Sequence, residues 1–156
     1  MQNPTRARRS TTAEPARQRM SQLTFETAKE GDRLPALKLP AITRLQLALY
    51  RGGSGDHNPI HVDTDFARRA GLKDVIAHGM LSMCFMGQLV TTVAPQATVR
   101  SFGARFVALT WVGDEITVSG HVADVDQEER RLTLELTCAN QKGETTLDGR
   151  AVLSFA

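Results

Sequence analysis

Aromatic side chains are scarce in this chain: one Trp, one Tyr and six Phe, 5% of 156 residues. A platform that stacks nucleic-acid bases needs more of them, which disfavours an RNA-reading module. Cysteine is nearly absent too. Cys84 and Cys138 both sit among apolar neighbours, so buried structural thiols are expected rather than a disulfide or a metal pair. No apolar run approaches the ~20 residues that span a bilayer, and residues 1–20 lack the apolar stretch of a secretory signal. A cytoplasmic protein without membrane contact is the expectation.

What is present is enough material for one core. Hydrophobic residues make up 41% of the chain and charged residues 23%, the mix of a single soluble domain that needs neither metal nor disulfide to fold. The net charge of +2 hides an asymmetry, because Arg6, Arg8, Arg9, Arg17 and Arg19 stand against Glu14 alone, a local +4 that leaves −2 for residues 21–156. The folded part therefore has no net attraction for a polyanion, and no nucleic-acid partner is expected. The chain divides into a basic extension, residues 1–20, and one domain, residues 21–156. The extension has no hydrophobic periodicity, which predicts disorder; its composition equally fits an organellar leader or a start placed upstream of Met20.

Patterning along the domain predicts an α+β fold. Residues 31–40, with two prolines, read as an edge strand. Thr43 caps a helix that runs through Leu45, Leu47, Leu49 and Tyr50 into the glycines at 52, 53 and 55; Asp63 or Thr64 caps a second, stopped by Gly71. Residues 79–93 are apolar around nearly the whole helical circumference, so that helix must be buried on most sides. Gly79, Ser82 and Gly87 on it would let a sheet approach closely. From Phe102 onward, strict alternation (Leu132, Leu134, Leu136, Cys138) and the turns Gly113-Asp114, 126–130 and 141–143 predict a four-strand antiparallel meander wrapped around the helix.

The segment with chemistry is Tyr50 to Ala67, with Asp56, His57, Asn58, Pro59 and His61 in a glycine-rich connection, followed by Ala77-His78-Gly79-Met80. Zinc on a His57/His61 helical face is excluded by Pro59 between them and by the missing glutamate. A calcium loop fails because Ile60 and His61 stand where a ligand and a glycine belong. A phosphate loop fails for want of Gly-Lys-Ser/Thr. What survives is a proton-transfer pair, Asp56 and His61, able to share one water molecule. Asp, Asn and Pro are also ordinary turn formers, and spacing alone does not separate the two readings. Arg68, Arg69 and Lys73 form either an exposed helix face or a phosphate-binding one. His57 is expected in solvent and His121 on the outer side of the sheet.

The run from Tyr50 to Ala67, with the AHGM sequence at 77–80, resembles the hydratase 2 motif of the MaoC-like family of (R)-specific enoyl-CoA hydratases and 3-hydroxyacyl thioester dehydratases. The resemblance extends from about residue 25 to the C-terminus. It implies a single hot-dog fold, a homodimer, and reversible hydration of a trans-2-enoyl thioester carried by CoA or an acyl carrier, without metal or redox cofactor. By the same resemblance Asp56 and His61 are the catalytic dyad, Asn58 supports their geometry, Gly79 offers its N–H to the thioester carbonyl, and His78 belongs to the substrate site in a structural role. Two other readings of such a chain are a hot-dog acyl thioesterase and a non-catalytic partner subunit of a hetero-oligomeric dehydratase; the intact Asp56/Asn58/His61 set speaks against both.

Overall fold

The computed structural model describes residues 22–156; the basic extension expected at residues 1–20 lies outside the described residues. Strand β1 is short, Leu37–Lys38. Thr43, in extended conformation, accepts a hydrogen bond from the Gln46 N–H on its hydroxyl at 3.1 Å and opens helix α1, Arg44–Ser54. Gly52 and Gly53 lie inside the last turns of α1 rather than ending it. The stop is Gly55, whose φ of 75° a residue with a side chain rarely adopts. A 3-10 turn, Pro59–His61, leads to helix α2, Thr64–Arg69, capped by Asp63. Helix α3 spans Gly79–Val93, and β2 (Thr98–Phe106), β3 (Thr117–Asp126), β4 (Arg131–Ala139) and β5 (Thr145–Ser154) complete the chain.

The sheet is antiparallel throughout, in the order β1-β3-β4-β5-β2. The expected four-strand meander is thus corrected: β3, β4 and β5 form one, but β2 pairs with β5 and leaves β3 to a different neighbour. The Gly113-Asp114 turn does not join a hairpin. Residues 107–116 instead cross the end of the sheet, pinned by Ala77 N–H donating to the Thr110 carbonyl at 2.8 Å and Gly113 N–H to the Ile42 carbonyl at 2.8 Å. Turn chemistry is local, whereas the partner of a strand is set by which side chains complement it across the sheet.

The core lies between α3 and one face of the sheet. Met86, Leu89, Val90 and Val93 of the helix meet Val118, Val122, Leu134, Cys138, Leu147 and Leu153, all buried. Each such side chain contributes about 1.5–3 kcal/mol by leaving water. Cys138 is buried as expected and its thiol is pushed up to about 12 by that burial. Cys84 is not: it is exposed, because Met80, Cys84, Gln88 and Thr91 lie on the side of α3 that the sheet leaves uncovered.

The two sheet edges differ. Residues 31–42 run along β3, with Gly31 N–H donating to the Val122 carbonyl, Leu34 to Gly120, Leu39 to Ile116 and Ile42 to Asp114, at 2.8–2.9 Å. Among the described residues, strand β2 pairs on one side only and is exposed along most of its length.

Close approach of helix and sheet depends on Gly149 in the sheet and on Gly79 at the start of α3, and not on Gly87. A Cβ built on Gly149 would stand 2.5 Å from Met86 Sδ and 3.2 Å from the Gly103 carbonyl oxygen, whereas one on Gly87 would meet Phe102 at an ordinary 3.7 Å. Gly149→Ala is therefore expected to destabilise by roughly 1–3 kcal/mol through overpacking, lowering Tm by about 3–10 °C. Gly87→Ala should leave Tm unchanged or raise it, since alanine favours the helix by up to ~1 kcal/mol. Calorimetry of the two variants checks the contrast, and equal losses would refute it.

Candidate active site

The loop after α1 is built by its own short side chains. Asp56 N–H donates to Ser54 Oγ, Asn58 N–H to Asp56 Oδ1 and Ile60 N–H to Asn58 Oδ1, each at 3.2 Å. These side-chain turns and Pro59 at the first position of the 3-10 turn hold Asp56 and His61 at a defined separation. Asn58 thereby spends its carbonyl oxygen on the loop itself.

His61 turns inward and is buried, while the Asp56 side chain is 51% exposed. The His61 ring places Nδ1 2.8 Å from the Ile76 main-chain carbonyl. A carbonyl only accepts, so Nδ1 carries the proton and the neutral ring has its free lone pair on Nε2. That atom lies 3.7 Å from Asp56 Oδ2. The gap is too wide for a direct hydrogen bond, but two atoms so spaced can both reach one water at about 2.8 Å.

His78 stands beside the pair. It is 1% exposed, its ring stacks on His61 with centroids 3.7 Å apart and planes 23° apart, and Tyr50 approaches it at 5.0 Å. Burial, and after it the neighbouring His61, holds the His78 pKa below the ordinary 6.5. Burial likewise raises the Tyr50 phenol. Asp56, His61 and His78 bring ligand-type atoms within 4.8 Å of one another. Rings stacked face to face aim their nitrogens side by side rather than at a common point, a donor set that suits proton transfer better than a tetrahedral ion.

Gly79 follows as the first residue of α3. The leading N–H groups of a helix have no carbonyl partners within it, and the helix dipole adds positive potential there. A Cβ at Gly79 would lie 2.8 Å from the Phe106 ring, so the glycine lets that ring close over the helix end.

The fold thus gathers Asp56, His61, His78 and Gly79, and uses Asn58 to shape the loop that presents them. His57 is in solvent, as expected, and His121 points to the outer face of the sheet with Nε2 3.7 Å from Glu135 Oε2. Arg68 and Arg69 are exposed, while Lys73 sits 4.2 Å over the Trp111 ring. A broad concavity of about 1320 Å³, lined by Ser119, His121, Glu135, Thr137 and Arg150 among others, lies on that outer face, away from the dyad. Sequence reading missed Ile76 and Phe106. Ile76 acts through its main chain and leaves no signal; Phe106 alternates like a core residue, yet it is 51% exposed.

With this geometry in hand, the likeness to known proteins is informative. Residues 25–142 match the family model described as a MaoC like domain. The chain is 32% identical over 131 residues to the (R)-specific enoyl-CoA hydratase of Rhodospirillum rubrum, covering 83% of this chain and 89% of that one. It is 34% identical over 102 residues to the 3-hydroxybutyryl-CoA dehydratase of Methylorubrum extorquens, 64% of each. Among solved structures, the R-hydratase PhaJ1 of Pseudomonas aeruginosa superposes with a TM-score of 0.77 at 26% identity over 84% of each chain. The (R)-hydratase of Aeromonas caviae gives the same TM-score at 23% identity over 84% of this chain and 99% of that one, a likeness of fold. A helix wrapped by a curled antiparallel sheet, with the Asp56–His61 loop and His78-Gly79 meeting at the helix start, is the hot-dog arrangement, and the chain belongs to the MaoC-like dehydratase family.

Proposed function

We propose that the protein catalyses the reversible hydration of trans-2-enoyl thioesters to (R)-3-hydroxyacyl thioesters, the reaction that the names of its relatives state for them. The observation that carries the reading is the placement of the His61 ring, with Nδ1 2.8 Å from the Ile76 carbonyl, which leaves Nε2 as the accepting atom 3.7 Å from the Asp56 carboxyl group. Water held between them gives a proton to Nε2 while its oxygen forms a bond to C3. The electron pair of the C2–C3 double bond moves towards C2, and the thioester oxygen takes on enolate charge beside the Gly79 N–H. The proton that His61 has taken from water passes to the Asp56 carboxylate and from there to C2, which returns both groups to their starting state. Nothing in this sequence calls on a metal or redox group, because the thioester itself stabilises the carbanion. Both CoA and an acyl carrier present the same thioester to the dyad.

Hydration is followed as loss of the conjugated thioester absorbance over a C4 to C16 series of enoyl-CoAs, with the product alcohol assigned by chiral analysis. Asp56→Asn and His61→Gln should each lower kcat by roughly 10²-fold or more, with Tm close to the wild type. Full activity in both variants would sink the dyad.

A homodimer completes the proposal. Among the described residues β2 has a free edge, along which Val99 is exposed and whose far end reaches the site, where Met80, Phe106, Val107 and Leu109 are exposed too; a second copy laid along this edge would bury them and close the acyl path. Light scattering at micromolar concentration should return the mass of two chains; the mass of one refutes it.

A further inference from the structure

His78 touches both halves of the dyad and has no assigned chemistry of its own. One contact is the stack on the His61 ring at 3.7 Å. The other is its Nε2, 3.4 Å from the main-chain carbonyl of Asp56; a carbonyl accepts, so in the neutral ring the proton sits on Nε2. Nδ1 is then an unprotonated atom, buried and without a hydrogen-bond partner among the described residues. A side chain retained only to fill space would be apolar, because an orphaned buried nitrogen is a cost.

We propose that His78 is a positioning residue for the hydration step: its neutral ring sets the plane of the His61 imidazole, so that Nε2 faces the bridging water, and its N–H tethers the main chain from which Asp56 projects. This inference rests on the hydratase reading of the same site. Neutrality is part of it. When His61 takes the proton from water it becomes a cation, and a second imidazolium stacked on it would oppose that transfer. The surroundings favour the neutral ring: burial, His61 and Arg51 all oppose protonation of His78, and Asp56 alone favours it. The Tyr50 ring packs against it with its hydroxyl 4.0 Å from Cys84 Sγ, and burial keeps that phenol protonated.

Three variants of the full chain separate the contacts. His78→Phe keeps a stacked ring and loses the tether, His78→Gln keeps an N–H donor and loses the ring, and His78→Ala loses both. Each is measured for kcat and KM on crotonyl-CoA between about pH 5.5 and 9, beside its Tm. The expected result is a kcat about 10-fold or more lower in His78→Ala, with KM within about threefold. The acid limb of its kcat profile should move to higher pH, because water entering the gap solvates protonated His61. His78→Phe should keep a larger part of kcat than His78→Gln but stay at least about threefold below the wild type for want of the tether, at a Tm near the wild type, and it carries the test alone if the smaller variants do not fold. An active wild type whose His78→Phe and other folded variants keep its kcat and pH profile overturns this inference and leaves the hydratase reading standing. A wild type inactive on every trans-2-enoyl-CoA removes that reading, and the inference with it.

Discussion

A hydrogen bond 2.8 Å long, from the His61 ring to the Ile76 carbonyl, joins the loop after α1 to the segment that opens α3. The same two segments meet again through the Ile76 N–H and the Ile60 carbonyl at 3.3 Å. The segment is itself tied to the crossover between β2 and β3, where Ile76 bridges Trp111 and Ala77 donates to Thr110. Three stretches far apart in sequence are laced at one point. Because the bond involves a ring nitrogen, it decides chemistry as well as position: it selects the tautomer, and with it the atom able to accept a proton.

The rest of the structure serves to bring the start of α3 to that point. The helix is held by apolar contact with one face of the sheet, and Gly149 lets Met86 sit against the strands without a gap. This fixes the helix along its length and leaves its first turn at the rim, where Gly79 and Met80 are exposed while His78 is buried. An exposed helix start beside a half-exposed carboxylate is a place where substrate can arrive. Behind it lies a buried, stacked pair of imidazoles, His61 and His78. The asymmetry of the sheet edges follows the same economy: the strap of residues 31–42 closes the β3 edge, and among the described residues the edge of β2, which ends at Phe106 over Gly79, stays unpaired.

Much of this was legible in the residues, for reasons that are local. Caps act over three residues, so Thr43 and Asp63 announce their helices. A left-handed backbone favours glycine, so Gly71 and Gly143 mark ends and turns, while Arg130 takes φ 47° in the turn between β3 and β4. Period-two alternation names the inward face of β4, and Asp56, Asn58, Pro59 and His61 form their loop almost entirely from their own side chains and backbone. The reading failed where a partner lies far along the chain. Nothing near Phe106 says that β2 will pair with β5, or that its ring will rest over Gly79. Cys84 has apolar neighbours in sequence, yet exposure depends on which side of α3 the sheet covers.

The sequence by itself determined the elements, their caps and turns, the burial of a long helix and the placing of Asp56 and His61 in one short loop, because each follows from interactions within a few residues. Only the tertiary structure decided the order of the strands, the tautomer of His61, the stack of His78 upon it and the close approach at Gly149 and Gly79. These rest on main-chain atoms and side chains from separate elements, and such groups acquire a relation only when the core packs them together.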